Sequence, residues 1–410
     1  MNTIVLVVIG IAAYVLGVIL YSRFIRKGIY KLSESFKTPA HEMQDGVDYV
    51  PTNPYILWGH HFTSVAGAAP IIGPAIAVIW GWGPAMLWVV FGTIFFAGIH
   101  DMGAIWISVR HKAESIGTIS EKIMGRSVSL LFTLIVFLVL LMVNSVFAVA
   151  ISNSFVANPT SIVPSWGAIV VAIIIGQLIY RLKWNLPLVT IVGVVVLYLL
   201  VFAGTALPFS LPETFMGLSS GAVWIIILFV YAALASSLPV WSLLQPRDYI
   251  NGIQLFIGLI VLYLAFIIGA PQIAAPMFNS ELPAGTPPMI PLLFVTIACG
   301  AISGFHGLVG SGTTSKQIDK ESHIRLVGYG GSLGEGLLAL ASLLAVSAGF
   351  ASMGAWRETY SAFGSGGLNG FIQSGANIIS SGLKLNRDFA VNLLAVMGIL
   401  FAGTTMDTGV

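Results

Sequence analysis

The chain alternates long apolar runs with short polar segments over almost its whole length. Each run is long enough to cross roughly 30 Å of hydrocarbon as a helix. The pattern predicts an all-α polytopic membrane protein with about 11 transmembrane helices. The predicted spans cover residues 3–21, 58–80, 84–108, 128–152, 163–180, 187–206, 219–241, 252–271, 289–307, 327–350 and 388–406. Residues 364–382, rich in glycine, serine and asparagine, predict a re-entrant or amphipathic segment instead.

Two of these spans contain helix-breaking residues near 67–74 and 236–239. Proline in a helix interior costs ~3 kcal/mol, and lipid cannot satisfy the backbone groups that a break releases. Transporters place substrate sites at such breaks, whereas simple proline kinks are the alternative interpretation. The candidate substrate-binding residues are Ser64, Gly67, Ala68, Pro70, Gly73, Ser236, Ser237, Pro239 and Trp241.

The order of the spans predicts an internal repeat. Setting aside the first span leaves two groups of five, and because five is odd, the two groups begin on opposite sides of the membrane. This favours a 5+5 inverted repeat preceded by one extra helix. The predicted units are residues 1–57 for the extra helix and a basic loop, 58–206 for the first repeat and 219–410 for the second.

Composition and charge strengthen the membrane assignment. Charged residues make up 8% of the 410, against about 25% in soluble proteins. A net charge of +2 gives no indication of a nucleic-acid partner, and a single cysteine, Cys299, excludes a disulfide framework. All but three of the 18 lysines and arginines fall in alternate loops. That bias predicts these loops to be cytoplasmic and the N-terminus to be outside.

Three acidic residues fall within or at the ends of predicted spans, and they are the candidate coupling groups. A carboxylate at bilayer depth costs ~2.5–3.5 kcal/mol on insertion scales, and protonation or pairing reduces that cost. Glu335 is the preferred proton site, with a structural hydrogen bond across helices as the alternative. For Asp101 the alternative is a helix-end ion pair with Arg110 or a loop lysine. Asp407 lies among hydroxyls near the predicted inner face.

Histidines offer a second kind of titratable group. His60 and His61 are adjacent, so they point ~100° apart on a helix, and only one can face the interior. The chain lacks HExxH and zinc-like Cys/His spacing, so no metal or cofactor is predicted. Both histidines remain candidates for proton coupling or for contact with a substrate carboxylate. A histidine bound to a backbone carbonyl at the interface is the equal alternative.

Two further segments carry polar groups near the predicted inner face. The glycine-rich stretch 300–316 lacks the GxxxxGK[ST] phosphate-loop spacing, which argues against nucleotide binding. Arg247 and Asp248 follow the second predicted break, and they predict a local salt bridge at the membrane surface. The candidate inner-mouth residues are His306, Ser311, Thr313 and Thr314.

Seven segments together resemble the carbon starvation protein A family, which is related to the amino acid, polyamine and organocation transporters. They are WGHHFTSVAGAAPIIGPAIA (58–77), GIHDMGA (98–104), SLPVWSLLQPRDYIN (237–251), ACGAISGFH (298–306), SGTTSK (311–316), VGYGGSLGE (327–335) and FAGTTMDT (401–408). The resemblance implies a LeuT-like bundle in the bacterial inner membrane. It also implies uptake of pyruvate or short peptides during carbon starvation, with protons, and further helices beyond the position of Val410.

These observations favour a secondary active transporter whose partners are a small carboxylate or short peptide, a proton with a sodium ion as the alternative, and the lipid bilayer. The alternative is a channel or membrane-embedded nutrient sensor without concentrative transport. An intramembrane enzyme would need a nucleophile–base pair or a metal set at bilayer depth. The sequence shows neither GxSxG nor HExxH, so no enzyme activity is predicted.

Overall fold

The computed structural model describes residues 2–238, 243–298 and 304–409. Within these ranges nine helices are long and apolar enough to cross a membrane, and a bent pair of shorter helices makes a tenth candidate span. One small hairpin pairs β1 (Thr214–Phe215) with antiparallel β2 (Leu218–Ser219). The prediction of an all-α polytopic membrane protein is therefore confirmed.

The described helices follow one another through the chain and pack together as one bundle. They are α1 (Thr3–Ile29), α2 (Pro39–Glu42), α3 (Pro54–Ala66), α4 (Ala69–Trp80), α5 (Trp82–Arg110), α6 (Ile116–Met124), α7 (Arg126–Ala157), α8 (Pro159–Ile179), α9 (Leu186–Gly204), α10 (Ser220–Ser237), α11 (Leu244–Gly269), α12 (Met289–Thr296), α13 (Gly304–Gly312), α14 (Glu321–Ala348), α15 (Met353–Thr359), α16 (Gly367–Leu383) and α17 (Arg387–Gly409).

Burial separates the centre of the bundle from its periphery. The apolar windows of α14 and α17 are 94% and 89% buried, whereas those of α7 and α10 are each 22% buried. An apolar helix with most of its surface exposed suits contact with lipid. The two central helices, α14 and α17, carry Glu335 and Asp407, so two of the three acids singled out in the sequence lie on the best-enclosed elements.

The first predicted break is present at Gly67 and Ala68, where α3 and α4 meet at an angle of 51°. Gly67 has φ 54° and ψ −161°, a backbone conformation that favours glycine. A Cβ at this position would also strike Thr405 of α17. Pro70 lies in the first turn of α4, where a missing amide is tolerated. The break therefore falls just before the proline.

The second predicted break is a helix end in the described residues. Helix α10 ends at Ser237, and α11 begins at Leu244. Ser236 and Ser237 are exposed, and each donates a hydrogen bond to a carbonyl of its own helix. A proline two residues beyond Ser237 in the sequence favours termination there. Pro239 and Trp241 lie outside the described residues.

The predicted count of 11 spans is not confirmed. The predicted span 289–307 corresponds to α12 and α13, which have 8 and 9 residues; residues 299–303, including Cys299, lie outside the described ranges. The inverted repeat and the division at 1–57, 58–206 and 219–410 stay predictions.

The segment predicted as re-entrant or amphipathic forms α16, a helix of 17 residues. It lies across the ends of three long helices. Asn369 accepts a hydrogen bond from Asn158 at the end of α7. Farther along, Asn377 donates to Gly349 beyond α14, and Gly382 packs closely on the end of α11. Helix α16 thus covers one end of the bundle.

Contacts among the loops define two opposite faces. On one face the Thr52 amide donates to the Gln317 carbonyl, and Arg110 pairs with Glu321. On the other face the Thr3 amide donates to the Pro271 carbonyl, and the Trp82 amide donates to the Pro276 carbonyl. Three predicted cytoplasmic loops, 22–57, 109–127 and 308–326, therefore share one face. Which face is cytoplasmic stays a prediction.

Candidate functional site

Asp101 of α5 is fully buried at the contact of three helices. Its carboxylate pairs with His306 Nδ1 from α13 and accepts a hydrogen bond from the Ser332 hydroxyl of α14. His100 Nδ1 lies 3.2 Å from the other carboxylate oxygen. Gly328 permits this approach because a Cβ there would strike the α5 backbone at Met102. A carboxylate in the bundle interior is thus compensated by partners from separate helices.

His306 connects Asp101 to the second buried acid. Its Nε2 lies 2.6 Å from Glu335 Oε2, and both side chains are at most 1% exposed. We call Asp101, His306 and Glu335 the carboxylate–histidine network. With the imidazole protonated and both acids ionised, the network carries one net negative charge. Such an arrangement is suited to reversible protonation, because burial of uncompensated charge is costly.

His61 approaches the network from α3. Its ring meets that of His306 at 80° with centroids 6.2 Å apart, and its Nδ1 lies 2.8 Å from Thr314 Oγ1. Among the described residues, His61 Nε2 has no hydrogen-bond partner. His60 is only partly buried, whereas His61 is fully enclosed. His61 is therefore the one of the two adjacent histidines that faces the interior.

His61, Asp101 and His306 could also hold a metal ion. One potential ligand atom from each lies within 4.8 Å of the others, and all three residues are buried. Local spacing in the sequence argued against a metal, because His306 comes from a segment distant from His61 and Asp101. Asp101 and His306 pair with each other here, so metal binding would require them to exchange that contact for the ion.

Several predicted roles change in the structure. Asp101 does not pair with Arg110, whose Nε instead lies 2.5 Å from Glu321. His306 is buried in the network rather than placed at an inner mouth. Ser311 accepts a hydrogen bond from the Ile116 amide, while Thr313 is exposed.

A second polar cluster surrounds Arg247 of α11. Its Nη1 pairs with Asp407 of α17 and donates to the Tyr231 hydroxyl at 2.9 Å. Its Nη2 lies 3.2 Å from Asp248 Oδ1. We call Arg247, Asp248 and Asp407 the arginine cluster. The predicted Arg247–Asp248 pair is present; it is buried within the protein, and Asp407 joins it as a third member. Its location at the membrane surface stays a prediction.

Helix α17 connects the arginine cluster to the break. Thr405 packs against Gly67, and Thr404 accepts a hydrogen bond from Asn251 at 3.0 Å. On the other side of the break, Ser64 and Ala68 are buried. Gly73 packs against the backbone of α12 at Thr296. The structure thus places Gly67 against α17 and Gly73 against α12, whereas Ser236 and Ser237 are exposed.

Two cavities adjoin these elements. A narrow space of about 30 Å³ contacts Arg247 and Tyr231 and is otherwise walled mainly by apolar side chains, including Phe155, Trp166 and Leu400. A wider cleft of about 360 Å³ lies between α6, α7 and α13 and reaches Ser311. The narrow cavity provides space for about one water molecule, so, among the described residues, it admits no larger ligand beside Arg247 in this conformation.

Comparison with known proteins identifies the family. The family model described as carbon starvation protein CstA matches residues 2–355. The chain belongs to the carbon starvation protein CstA family. The resemblance carried by the seven segments is therefore confirmed, while the relation to LeuT-like transporters stays a prediction.

CstA-family relatives with curated names match over most of this chain. The "Peptide transporter CstA" of Campylobacter jejuni is 33% identical over 349 residues, which cover 84% of this chain and 50% of that protein. The Escherichia coli "Peptide transporter CstA" is 30% identical, with 97% and 58% covered. The Escherichia coli "Pyruvate/proton symporter BtsT" is 32% identical, with 83% and 48% covered. The chain thus spans about half the length of these relatives.

Proposed function

We propose that this protein is a secondary active transporter that takes up pyruvate or short peptides together with protons. The names of the relatives support transport and both substrate classes. The single structural observation that carries proton coupling is the carboxylate–histidine network, in which His306 bridges two buried acids from different helices. In this proposal the chain has no enzymatic role.

Proton coupling follows from the chemistry of the network. Imidazole changes charge near neutral pH, and two carboxylates in a low-dielectric interior compete for compensation by one cation. A proton taken up by Glu335 or Asp101 would remove the net negative charge. Because α5, α13 and α14 each supply one member, the protonation state would bias the packing of three helices. His60 and His61 stay candidate contributors at the edge of this network.

The proposed substrate site lies at the break between α3 and α4. An interrupted helix exposes backbone amides at the start of its second half, and the positive end of that helix attracts a carboxylate. Ser64, Gly67, Ala68, Pro70 and Gly73 belong to this region, and Thr405 contacts it. We therefore assign the substrate to the region between the break and α17, with the amino end of α4 as one candidate for its carboxylate.

The proposed setting is the bacterial inner membrane, with the N-terminus outside. The proposal rests on the distribution of lysine and arginine among the loops, together with the shared face of three basic loops. We also retain the inverted repeat as a proposal.

Uptake into proteoliposomes tests this function. Purified protein is reconstituted, and uptake of labelled pyruvate and of a labelled dipeptide is measured under an imposed proton gradient, a sodium gradient or neither. We expect accumulation of one substrate class above its external concentration only with the proton gradient. Liposomes without protein and collapse of the gradient by an ionophore are the controls.

The outcomes separate the alternatives. Accumulation driven by sodium alone would refute proton coupling while leaving transport in place. Equilibration without accumulation under every gradient would identify a channel. Binding without any flux would indicate a sensor.

A further inference from the structure

All 18 lysines and arginines lie in the described ranges. Arg247 is the one among them that is buried, with an exposure of 2%. Its two terminal nitrogens contact Asp407, Tyr231 and Asp248. Its Nε has no hydrogen-bond partner among the described residues. A guanidinium offers five N–H donors in a planar fork, so Arg247 retains donor capacity in a place where water is largely excluded.

We propose that Arg247 binds the carboxylate of the transported substrate, in exchange with the carboxylate of Asp407. The inference rests on the proposed transport function and names the group that would recognise its substrate. Arginine binds carboxylates through two parallel hydrogen bonds. The carboxylate is the feature that pyruvate shares with the C-terminus of a peptide.

Two side-chain amides with unpaired polar atoms, those of Asn251 and Gln254, follow Arg247 on the same face of α11. Asn251 lies one turn further, and its Oδ1 has no partner among the described residues. Gln254 follows after another turn, and both polar atoms of its side chain likewise lack described partners, although it is 1% exposed. An unsatisfied buried polar group costs ~1–3 kcal/mol. Three such side chains in one row are suited to a polar ligand that binds along α11.

The row of polar side chains leads towards the broken helix. Asn251 donates to Thr404, and the next residue of α17, Thr405, packs on Gly67 at the break. On the opposite side, Gly252 of α11 packs closely on Thr63 of α3. The arginine cluster and the break therefore border the same helix, α17. In this inference Arg247, in place of the amino end of α4, holds the carboxylate, and the rest of the substrate lies beside the break.

The charges require a proton to accompany this exchange. Arg247 with ionised Asp248 and Asp407 carries one net negative charge, and a substrate carboxylate would add another. Protonation of Asp407 as it leaves Arg247 restores the original charge and avoids an unpaired buried carboxylate. Other titratable groups around the cluster are Tyr231 of α10, which contacts Arg247, and His60 of α3, which interacts electrostatically with Asp248.

The narrow cavity beside Arg247 must widen before a substrate can reach this side chain. Its volume of about 30 Å³ is too small for pyruvate or a peptide. Loss of the Asp407 contact would release one constraint between α11 and α17, which is the contact that must open. Binding and a change of helix packing are thereby linked, as alternating access requires.

Equilibrium binding to the purified protein tests the inference. The ligands are labelled pyruvate, labelled dialanine and C-terminally amidated dialanine, which lacks the carboxylate. We expect Arg247→Gln to weaken binding of the recognised carboxylate roughly 30-fold or more, and Arg247→Lys to weaken it less. Asp407→Asn should strengthen binding roughly tenfold at neutral pH, because the competing carboxylate is removed.

The matched control is Arg357→Gln. Arg357 also pairs with an acid, Glu281, but both side chains are exposed, so binding should not change. Loss of affinity for amidated dialanine relative to dialanine would support recognition of the terminal carboxylate in the peptide arm. Binding of pyruvate alone would identify a small carboxylate as the source, and binding of dialanine alone would identify a peptide.

The two proposals fail in different ways. Wild-type affinity in Arg247→Gln, with normal wild-type uptake, would overturn the role of Arg247 and leave transport standing. Absence of uptake of either substrate by the wild-type protein would overturn the proposed function itself. If Arg247→Gln does not fold, as judged by gel filtration, Asp407→Asn decides: tighter binding supports the exchange, and unchanged or weaker binding overturns it.

Discussion

Replacement of Glu335 by Gln tests the proposed coupling most directly. Gln keeps the size of the side chain and an oxygen that accepts a hydrogen bond, but it removes the charge and the titratable proton. Glu335 Oε2 lies 2.6 Å from His306 Nε2, and the side chain is 1% exposed. The substitution therefore alters the charge of the carboxylate–histidine network with little change in volume.

The magnitude follows from the loss of one proton site. Glu335→Gln leaves His306 paired with Asp101, so the network becomes neutral and has one carboxylate fewer to take up a proton. A gradient of about one pH unit supplies ~1.4 kcal/mol per proton, which sustains about a tenfold concentration ratio for one proton per substrate. Without the carboxylate that carries this proton, the gradient no longer drives the substrate, so proton-driven accumulation should fall from about tenfold to none.

The assay is uptake into proteoliposomes with and without the proton gradient, together with counterflow exchange at equal pH on both sides. We expect Glu335→Gln to lose accumulation while it retains exchange. Glu321→Gln is the matched control, since Glu321 is also a buried, ion-paired acid of α14 but lies outside the network. Gradient-driven accumulation at the wild-type level, with wild-type pH dependence, would refute the assignment of Glu335.

Three further substitutions test the packing and the network. Gly73→Ala places a methyl group against the Thr296 carbonyl, so we expect a loss of ~1–3 kcal/mol in a thermal unfolding assay; unchanged stability would show that α4 and α12 do not pack as described. Arg110→Ala leaves buried Glu321 without its cation, although the Ser33 amide still donates to it, and should lower the free energy of unfolding by ~1–3 kcal/mol, an effect that the double variant lacking both charges should largely reverse. Ser332→Ala removes a hydrogen bond to the network, and the pH dependence of uptake should shift while membrane insertion stays normal; an identical pH profile would contradict a role for this hydroxyl.

The acid–histidine arrangement could be predicted only in part. Glu335 and Asp101 are conspicuous in the sequence because a carboxylate at bilayer depth is costly. His306 bridges them, yet it comes from α13, far along the chain from α5, so no local spacing rule relates it to Asp101. Its position in a glycine- and hydroxyl-rich stretch suggested an inner mouth. Only packing of α13 between α5 and α14 made it the central residue.

The two predicted breaks also show what the local sequence leaves undecided. Glycine and proline in 67–74 indicated a break, and the structure has one at Gly67 and Ala68. Similar residues near Ser237 mark the end of a helix. Local propensity specifies that a helix is interrupted, but the partners of the released backbone groups decide whether it continues at an angle or ends.

By itself, the sequence determined what depends on composition and local pattern. The run of apolar segments established a helical membrane protein, because only hydrogen-bonded helices or closed barrels can span lipid. The quoted segments indicated the family, and rare buried acids indicated where charge must be compensated.

Tertiary structure decided which charges meet. Arg247 and Asp407 are separated by most of the second half of the chain, and the sequence assigned them to different local features. Packing of α11 against α17 places them in contact, and the closed environment turns a local salt bridge into a buried cluster. Such pairings depend on which helix faces meet in three dimensions, and hydrophobic periodicity along one helix does not specify its neighbour.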